Sequence, residues 1–237
     1  SILLTFRCCW CTWKEAEAGL IQCRPVEVNM DKINPLDLIH LQLELECIGT
    51  DANNFLFRIP GDNPDDIARF YVARHAAGYT TFFRHDVEPR IVGRLRSLPP
   101  QQAFEDIETV KRILHGEIAD NAPVSMFRSY YFADAPSPSQ FPDVVRQGAK
   151  FIIFVEGEPV CWAQSSRSNS RASELATETK PDFRHRGYAR QVSSVWALHQ
   201  LEQGKVAFYS HKWENIASLA LARSLGVVHF VDGVNYG

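Results

Sequence analysis

The part of this 237-residue chain densest in groups that could do chemistry lies between Glu174 and Arg190. Glu174–Thr179 reads as a strand, and Arg184-His185-Arg186-Gly187-Tyr188-Ala189 follows just before a helical pattern opens. A strand, a tight glycine-containing loop and a helix N-terminus together make an anion site. Successive main-chain N–H groups converge there, and the helix dipole adds partial positive charge. Gly187 would let the backbone approach a phosphate with no Cβ in the way, and Arg184, Arg186 and Arg190 add charge. The loop matches neither G-x-x-x-x-G-K-[ST] nor G-x-G-x-x-G, which sets aside a P-loop nucleotide site and a Rossmann dinucleotide site. R-x-x-G-x-A alone is a weak signal, and Gly187 could simply start a helix. The three arginines around it favour the phosphate role.

A second group stands at the next helical pattern, Asn215–Leu225, which Gly226 stops. Asn215 is a good N-cap whatever else it does, and Ser218 at the third helical position fits the same cap. Trp196 and Trp213 read first as core. His85, His115 and His199 have no ligand at matching spacing, so no metal site is expected. Cysteines fall at 8, 9, 11, 23, 47 and 161. Cys8 and Cys11 form a C-x-x-C, but no second pair follows at zinc spacing, and no βαβ context supports a redox dithiol. Residues 1–28 therefore read as an unstructured extension. Arg7 interrupts their apolar start and no small-residue cleavage site follows, which argues against a signal peptide and for a reduced, cytoplasmic protein.

Composition fits an ordinary mildly acidic globular chain. It is 45% hydrophobic, 11% aromatic and 22% charged, with a formal net charge of −3. That balance offers no basic footprint for nucleic acid and no polybasic membrane anchor. The longest apolar runs, such as Phe151–Val155, have the length of strands and not of membrane spans. Along the chain, Asn34–Cys47 reads as an amphipathic helix and Phe55–Ile59 as a short strand. Asn63-Pro64-Asp65-Asp66 looks like a helix opening, with the helix running to Ala77 and stopping at Gly78. Tyr79–Phe83 and Arg90–Leu95 read as strands, and Gln101–His115 as one helix with apolar residues at 104, 107, 110, 113 and 114. Asp134–Pro138 is the clearest loop. After it come a short helix at Gln140–Gln147, a hairpin of Lys150–Val155 and Pro159–Gln164, and a loop at Ser165–Ala172. The Arg and Ser residues at 166–171 read as solvated. The strand at Glu174–Thr179 is followed by a helix from Tyr188 to Gly204, a strand Val206–His211, the Asn215 helix and a last strand Val227–Val231.

Order and motif together resemble the GNAT superfamily of acyl-CoA-dependent N-acetyltransferases. The carrying residues are T-x-P-x-x-R-x-x-G-x-A (Thr179, Pro181, Arg184, Gly187, Ala189) and W-x-N-x-x-S-x-x-L-A-x-x-L-G (Trp213, Asn215, Ser218, Leu221, Ala222, Leu225, Gly226). The likeness spans roughly residues 125–237 and is to bacterial members with an extra N-terminal region. It implies an α/β fold with a mixed, mainly antiparallel sheet flanked by helices. It also implies a division into the 1–28 extension, a helix-rich region over 29–124 and an acetyltransferase domain over 125–237.

The resemblance also implies roles. The main chain of Thr177, Glu178 and Thr179 would pair with the pantetheine arm of acetyl-CoA. The loop Arg184, His185, Arg186, Gly187, Tyr188, Ala189 and Arg190 would take its pyrophosphate, and Asn215 and Ser218 would border the pantetheine. Transfer would go by direct attack of an amine, with a base to take its proton and a strand N–H to stabilise the oxyanion. Glu174 is the closest match to a family base, and Glu178 shares its face by the strand period of two. Both equally fit a solvated strand face, although an inward acid is costly unless used or paired. Many members carry a tyrosine acid where this chain has Ala222, which leaves that role to Tyr209, His211 or water. The expected acceptor is a small-molecule or peptide amine, with the N-terminal region walling its site and a homodimer left open. No metal, nucleic acid or membrane partner is expected. The alternative is a catalytically weak or inactive acyl-CoA-binding sensor or scaffold of the same fold.

Overall fold

Strands form the frame of this protein, and those described assemble into one sheet. The computed structural model describes residues 34–47, 49–57, 67–116, 123–134 and 140–237. In chain order the elements are α1 (Pro35–Leu43), β1 (Gly49–Thr50), β2 (Phe55–Phe57), β3 (Phe70–His75), β4 (Gly78–Arg84), α2 (Pro89–Arg96), α3 (Pro100–Glu105) and α4 (Ile107–His115). They continue with β5 (Val124–Tyr131), β6 (Val144–Gln147), β7 (Lys150–Val155), β8 (Glu158–Ser168), β9 (Ala172–Thr179), α5 (Tyr188–Glu202), β10 (Val206–Lys212), α6 (Ile216–Leu225) and β11 (Val228–Tyr236). The eleven strands lie in the order β1-β2-β4-β3-β11-β5-β10-β9-β8-β7-β6. Every neighbouring pair is antiparallel except β2/β4 and β9/β10. This is a mixed, mainly antiparallel sheet flanked by helices.

Helices cover both faces. On one, α1 lays Leu38, Ile39 and Leu41 onto Tyr71, Phe82, Ala172, Val206, Phe208 and Val231. The opposite face carries two separate apolar clusters. One joins α5 and α6 to β7–β10 around Trp196, Val192, Leu175, Tyr209 and Ala222. The other joins α2–α4 to β3, β4 and β11 around Phe70, Val72, Phe104 and Tyr236.

Several sequence expectations give way here. Residues 63–66 lie outside the described set, but the helix expected to run on to Ala77 is replaced by β3 and its turn into β4. Phe70, Val72, Tyr71 and Ala73 are all essentially buried because β3 sits between β4 and β11 with helices on both faces. Such a strand shows an unbroken apolar run that periodicity cannot separate from a buried helix. The strand expected at Arg90–Leu95 is α2, started by Pro89 at the first helical position, with Val92 and Leu95 inward at a spacing of three. The single helix expected at Gln101–His115 breaks at Asp106 (φ −101°, ψ 73°), whose carboxylate accepts from Thr109 N at 3.1 Å and caps α4. In the expected helix Gln140–Gln147, residues Val144–Gln147 instead form the edge strand β6. β8 runs on through Ser168, where a loop was expected. β5, between β10 and β11, has no counterpart among the expected elements.

Candidate functional site

The site is built where two parallel strands part. β9 and β10 pair only at Ala172/Val206, Ser173/Ala207 and Glu174/Phe208. Beyond these, β9 continues to Thr179 along β8 and β10 continues to Lys212 along β5. A gap therefore opens in the middle of the sheet. The bonds Lys180 N–H to Val160 O (2.9 Å) and Val206 N–H to Arg171 O (2.9 Å) fix which main-chain groups face it. Even-numbered residues of β9 bond toward β8, and odd-numbered ones point toward β10. Thr177 and Thr179 thus turn their main chain into the gap. Glu178, between them, turns its main chain to β8, so it does not share the main-chain role expected of all three.

At the mouth of the gap the chain makes a 3-10 turn, Pro181–Phe183, and then the Arg184–Gly187 bend. His185 (φ 61°) and Gly187 (φ 77°) are both left-handed. The turn leads straight into the N-terminus of the fifteen-residue α5, whose first main-chain N–H groups have no partner within the helix and would suit an anion. A Cβ at Gly187 would meet no atom within 4 Å, so glycine is required by conformation rather than by crowding. Arg184, Arg186 and Arg190 are exposed around the turn. Arg184 Nε donates to Thr179 O at 3.4 Å, and Arg186 donates to Asp182 O at 3.1 Å while its guanidinium lies 5.0 Å from the Phe183 ring. Tyr188 and Ala189 begin α5, half-buried against the α5–α6 cluster. Across the gap, Asn215 caps α6 by accepting from Ser218 N at 3.0 Å.

The candidate proton-transfer residues are not brought together. Glu174 lies on the α1 face and is 7% exposed; Ser210 Oγ and Gln42 Nε2 (3.4 Å) both donate to its Oε1. Burial lifts its pKa despite those donors. Glu178 shares that face but is exposed. Tyr209 follows Phe208 and so points the other way, toward α6, where its hydroxyl donates to Ser218 O at 3.3 Å. Burial also raises the Tyr209 pKa.

Sequence reasoning missed a polar cluster on that second face. A β-bulge between His229 and Val231 sends Phe230 and Val231 both to the α1 side. It thereby leaves His229 and Asp232 together on the other. Asp232 accepts from Arg74 (2.7 Å) and lies 3.1 Å from His229 Nε2 and 3.4 Å from Arg128 Nε. Burial opposes its charge, but His229 and Arg74 more than offset that and hold its pKa down. Arg128 lies 4.8 Å from the Trp213 ring centre, and Arg74 lies 4.7 Å from that of Phe104. The available signal was a charged residue set inside each of two apolar strand patterns, Phe127-Arg128-Ser129-Tyr130 and Val231-Asp232-Gly233-Val234. Among the described residues no three His, Cys, Asp or Glu side chains gather as a metal site would require, and no helix is long and apolar enough to cross a membrane. Cys47 and Cys161 are buried and free; the Cys8/Cys11 pair lies outside the described residues.

An α/β protein whose mainly antiparallel sheet opens between two parallel strands, above a strand–turn–helix unit, is the class defined by this fold and site. The sequence profile of the GNAT acetyltransferase family matches residues 110–231, just over half of the chain, and the chain belongs to that family. No curated protein matches it in sequence. Among solved structures, a GNAT-family protein from Novosphingobium aromaticivorans is 16% identical (TM-score 0.42) over 48% of this chain, which spans 64% of that protein's length. A GCN5-related N-acetyltransferase-like protein from Streptococcus suis is 15% identical over 71% of this chain and 84% of its own (TM-score 0.40). A GCN5-related N-acetyltransferase from Kribbella flavida is 13% identical over 72% and 87% (TM-score 0.39).

Proposed function

We propose that this protein transfers an acetyl group from acetyl-CoA to an amine. The observation that carries the reading is the gap between β9 and β10, with Thr177 and Thr179 turned into it and the arginine-rich Gly187 turn at its mouth. An extended, amide-bearing arm such as pantetheine can add to an exposed strand as another strand would. The Arg184–Gly187 turn, the first N–H groups of α5 and Arg190 would hold its pyrophosphate, and Asn215 and Ser218 would border the arm. Acetyl-CoA supplies the activated acyl carbon.

Calorimetric titration of acetyl-CoA into wild type and Gly187→Glu tests this. Binding is expected for wild type and lost in the variant, since the new side chain brings a negative charge to the phosphate position. It also carries a left-handed strain of roughly 1–2 kcal/mol. A thermal melt of the variant separates lost binding from lost folding, and no binding to wild type would overturn the reading. One observation favours a second reading, a sensor without turnover: Ala222, buried against α6's own cluster, stands where many family members carry a tyrosine. Acetyl-CoA binding with no amine-dependent thiol release would select it.

A further inference from the structure

His211 is a buried ionisable group with no part in holding the coenzyme. It is 7% exposed, and its Nδ1 lies 2.8 Å from Lys212 O. A carbonyl oxygen only accepts, so Nδ1 carries a proton, and in the neutral ring Nε2 would then present a lone pair. That Nε2 is buried and has no hydrogen-bond partner among the described residues. An unmet buried nitrogen is costly, and the group that would satisfy it is an N–H donor. His211 lies on β10 beyond the point where β9 departs, on the edge of the gap. Its cross-strand partner on β5 is Arg128, and Tyr130 stacks on its ring at 5.6 Å.

Arg128 belongs to the Asp232 cluster, where two guanidiniums and an imidazole surround one carboxylate. That leaves a surplus of positive charge on side chains that are still partly open: Arg74 40%, Arg128 33% and His229 44% exposed. Arg74 and Arg128 lie against Phe104 and Trp213 of one helical cluster and His229 against Tyr130 of the other, so the three sit between the two clusters of this face. On the opposite face the corresponding stretch is sealed by α1, which sits over Phe208 and Glu174. An anionic group drawn to the arginines would hold a nearby amine against the imidazole.

We propose that the acceptor is an amine carrying a carboxylate a few bonds away, with the carboxylate at Arg128 and Arg74 and the amine at His211 Nε2, which takes its proton. This rests on the acetyl-transfer reading. One ammonium proton passes to Nε2 and frees the nitrogen lone pair, which bonds to the thioester carbonyl carbon. The C–S bond breaks with its electron pair on sulfur, and the second proton released by nitrogen ends on the thiolate. Amide, free thiol and one proton to solvent are the products.

The test follows thiol release from acetyl-CoA with each of the twenty protein amino acids, and with matched amines lacking the carboxylate, such as tyramine for tyrosine and cadaverine for lysine. At least one amino acid is expected to exceed its matched amine by roughly tenfold or more in kcat/KM. With that acceptor, Arg128→Met is expected to raise KM, with a smaller change in kcat. His211→Gln is expected to lower kcat by about 100-fold, as loss of a general base does. Added imidazole should restore part of the rate of His211→Ala, and both histidine variants should still bind acetyl-CoA by calorimetry, which shows that they are folded. If wild type binds acetyl-CoA but no amino acid outpaces its matched amine, or if His211→Gln retains its rate, this assignment falls while the coenzyme pocket stands. Wild type that binds no acetyl-CoA removes the underlying reading and this one with it.

Discussion

Burial lifts the Glu174 carboxyl above its ordinary 4.5, although Ser210 and Gln42 hydrogen-bond to it and Arg167 adds positive charge nearby. A raised carboxyl pKa means that the folded chain keeps a proton which the unfolded chain gives up. The stability associated with this residue is therefore whole below about 4.5 and is lost as pH rises toward the folded value. Glu174→Gln keeps an oxygen for both donors and cannot ionise. In urea titrations it should match wild type near pH 4 and gain on it at higher pH, by up to about 1.4 kcal/mol per pH unit across the window. A difference independent of pH would show that ionisation is not the cost. Asn215 has two candidate duties that substitution can separate. Asn215→Ala should cost about 1 kcal/mol through the lost cap, whereas Asn215→Ser should keep most of that stability. If the amide also serves the coenzyme, acetyl-CoA affinity falls in both variants; if it only caps, affinity holds in the serine variant.

At the level of elements, the contact between β5 and β11 depends on one small residue. A Cβ on Gly233 would lie 2.3 Å from the Phe127 ring that covers it across the strand pair. Gly233→Val should cost roughly 1–3 kcal/mol by chemical denaturation, and a neutral result would mean that Phe127 turns aside freely. The same strands show what the sequence could and could not convey. The elements around the site were legible because punctuation marks them: Asn215 before α6, Gly226 after it, and Glu156-Gly157 between β7 and β8. β3 was misread because burial on both faces erases alternation. α2 was misread because an eight-residue helix with two inward positions leaves too short a pattern to show its period. The pairing limit of β9 and β10 and the bulge at Phe230 are properties of register between distant segments, so no local pattern reveals them. The strand, turn and helix around Gly187 could therefore be read from the chain, whereas Arg128 and Asp232 stood out only as charges inside apolar strands, with nothing local to say that they meet.

For the whole molecule, the N-terminal half is part of the sheet. β3 pairs with β11 along six positions, from His75/Val231 to Phe70/Tyr236. Residues 124–237 produced alone would bare that edge of β11 and the apolar faces of Val231, Val234 and Tyr236. Exposed edges of this kind associate. The fragment is expected to elute as multimers or to precipitate; a monomer with a cooperative melt would show that the C-terminal half is self-sufficient. The parting of β9 and β10 carries a mechanical consequence. Three residue pairs at the foot of the gap join two plates, β6–β9 on one side and the remaining seven strands on the other. α5 ties them across one face, while Arg171 clasps Glu44 after α1 on the other. Plates joined along so short a seam can rock about it. A chain lodged in the gap would act as a keystone and lock them, so amide exchange should slow in β7 and β5 alike when acetyl-CoA is added, well beyond the residues it touches.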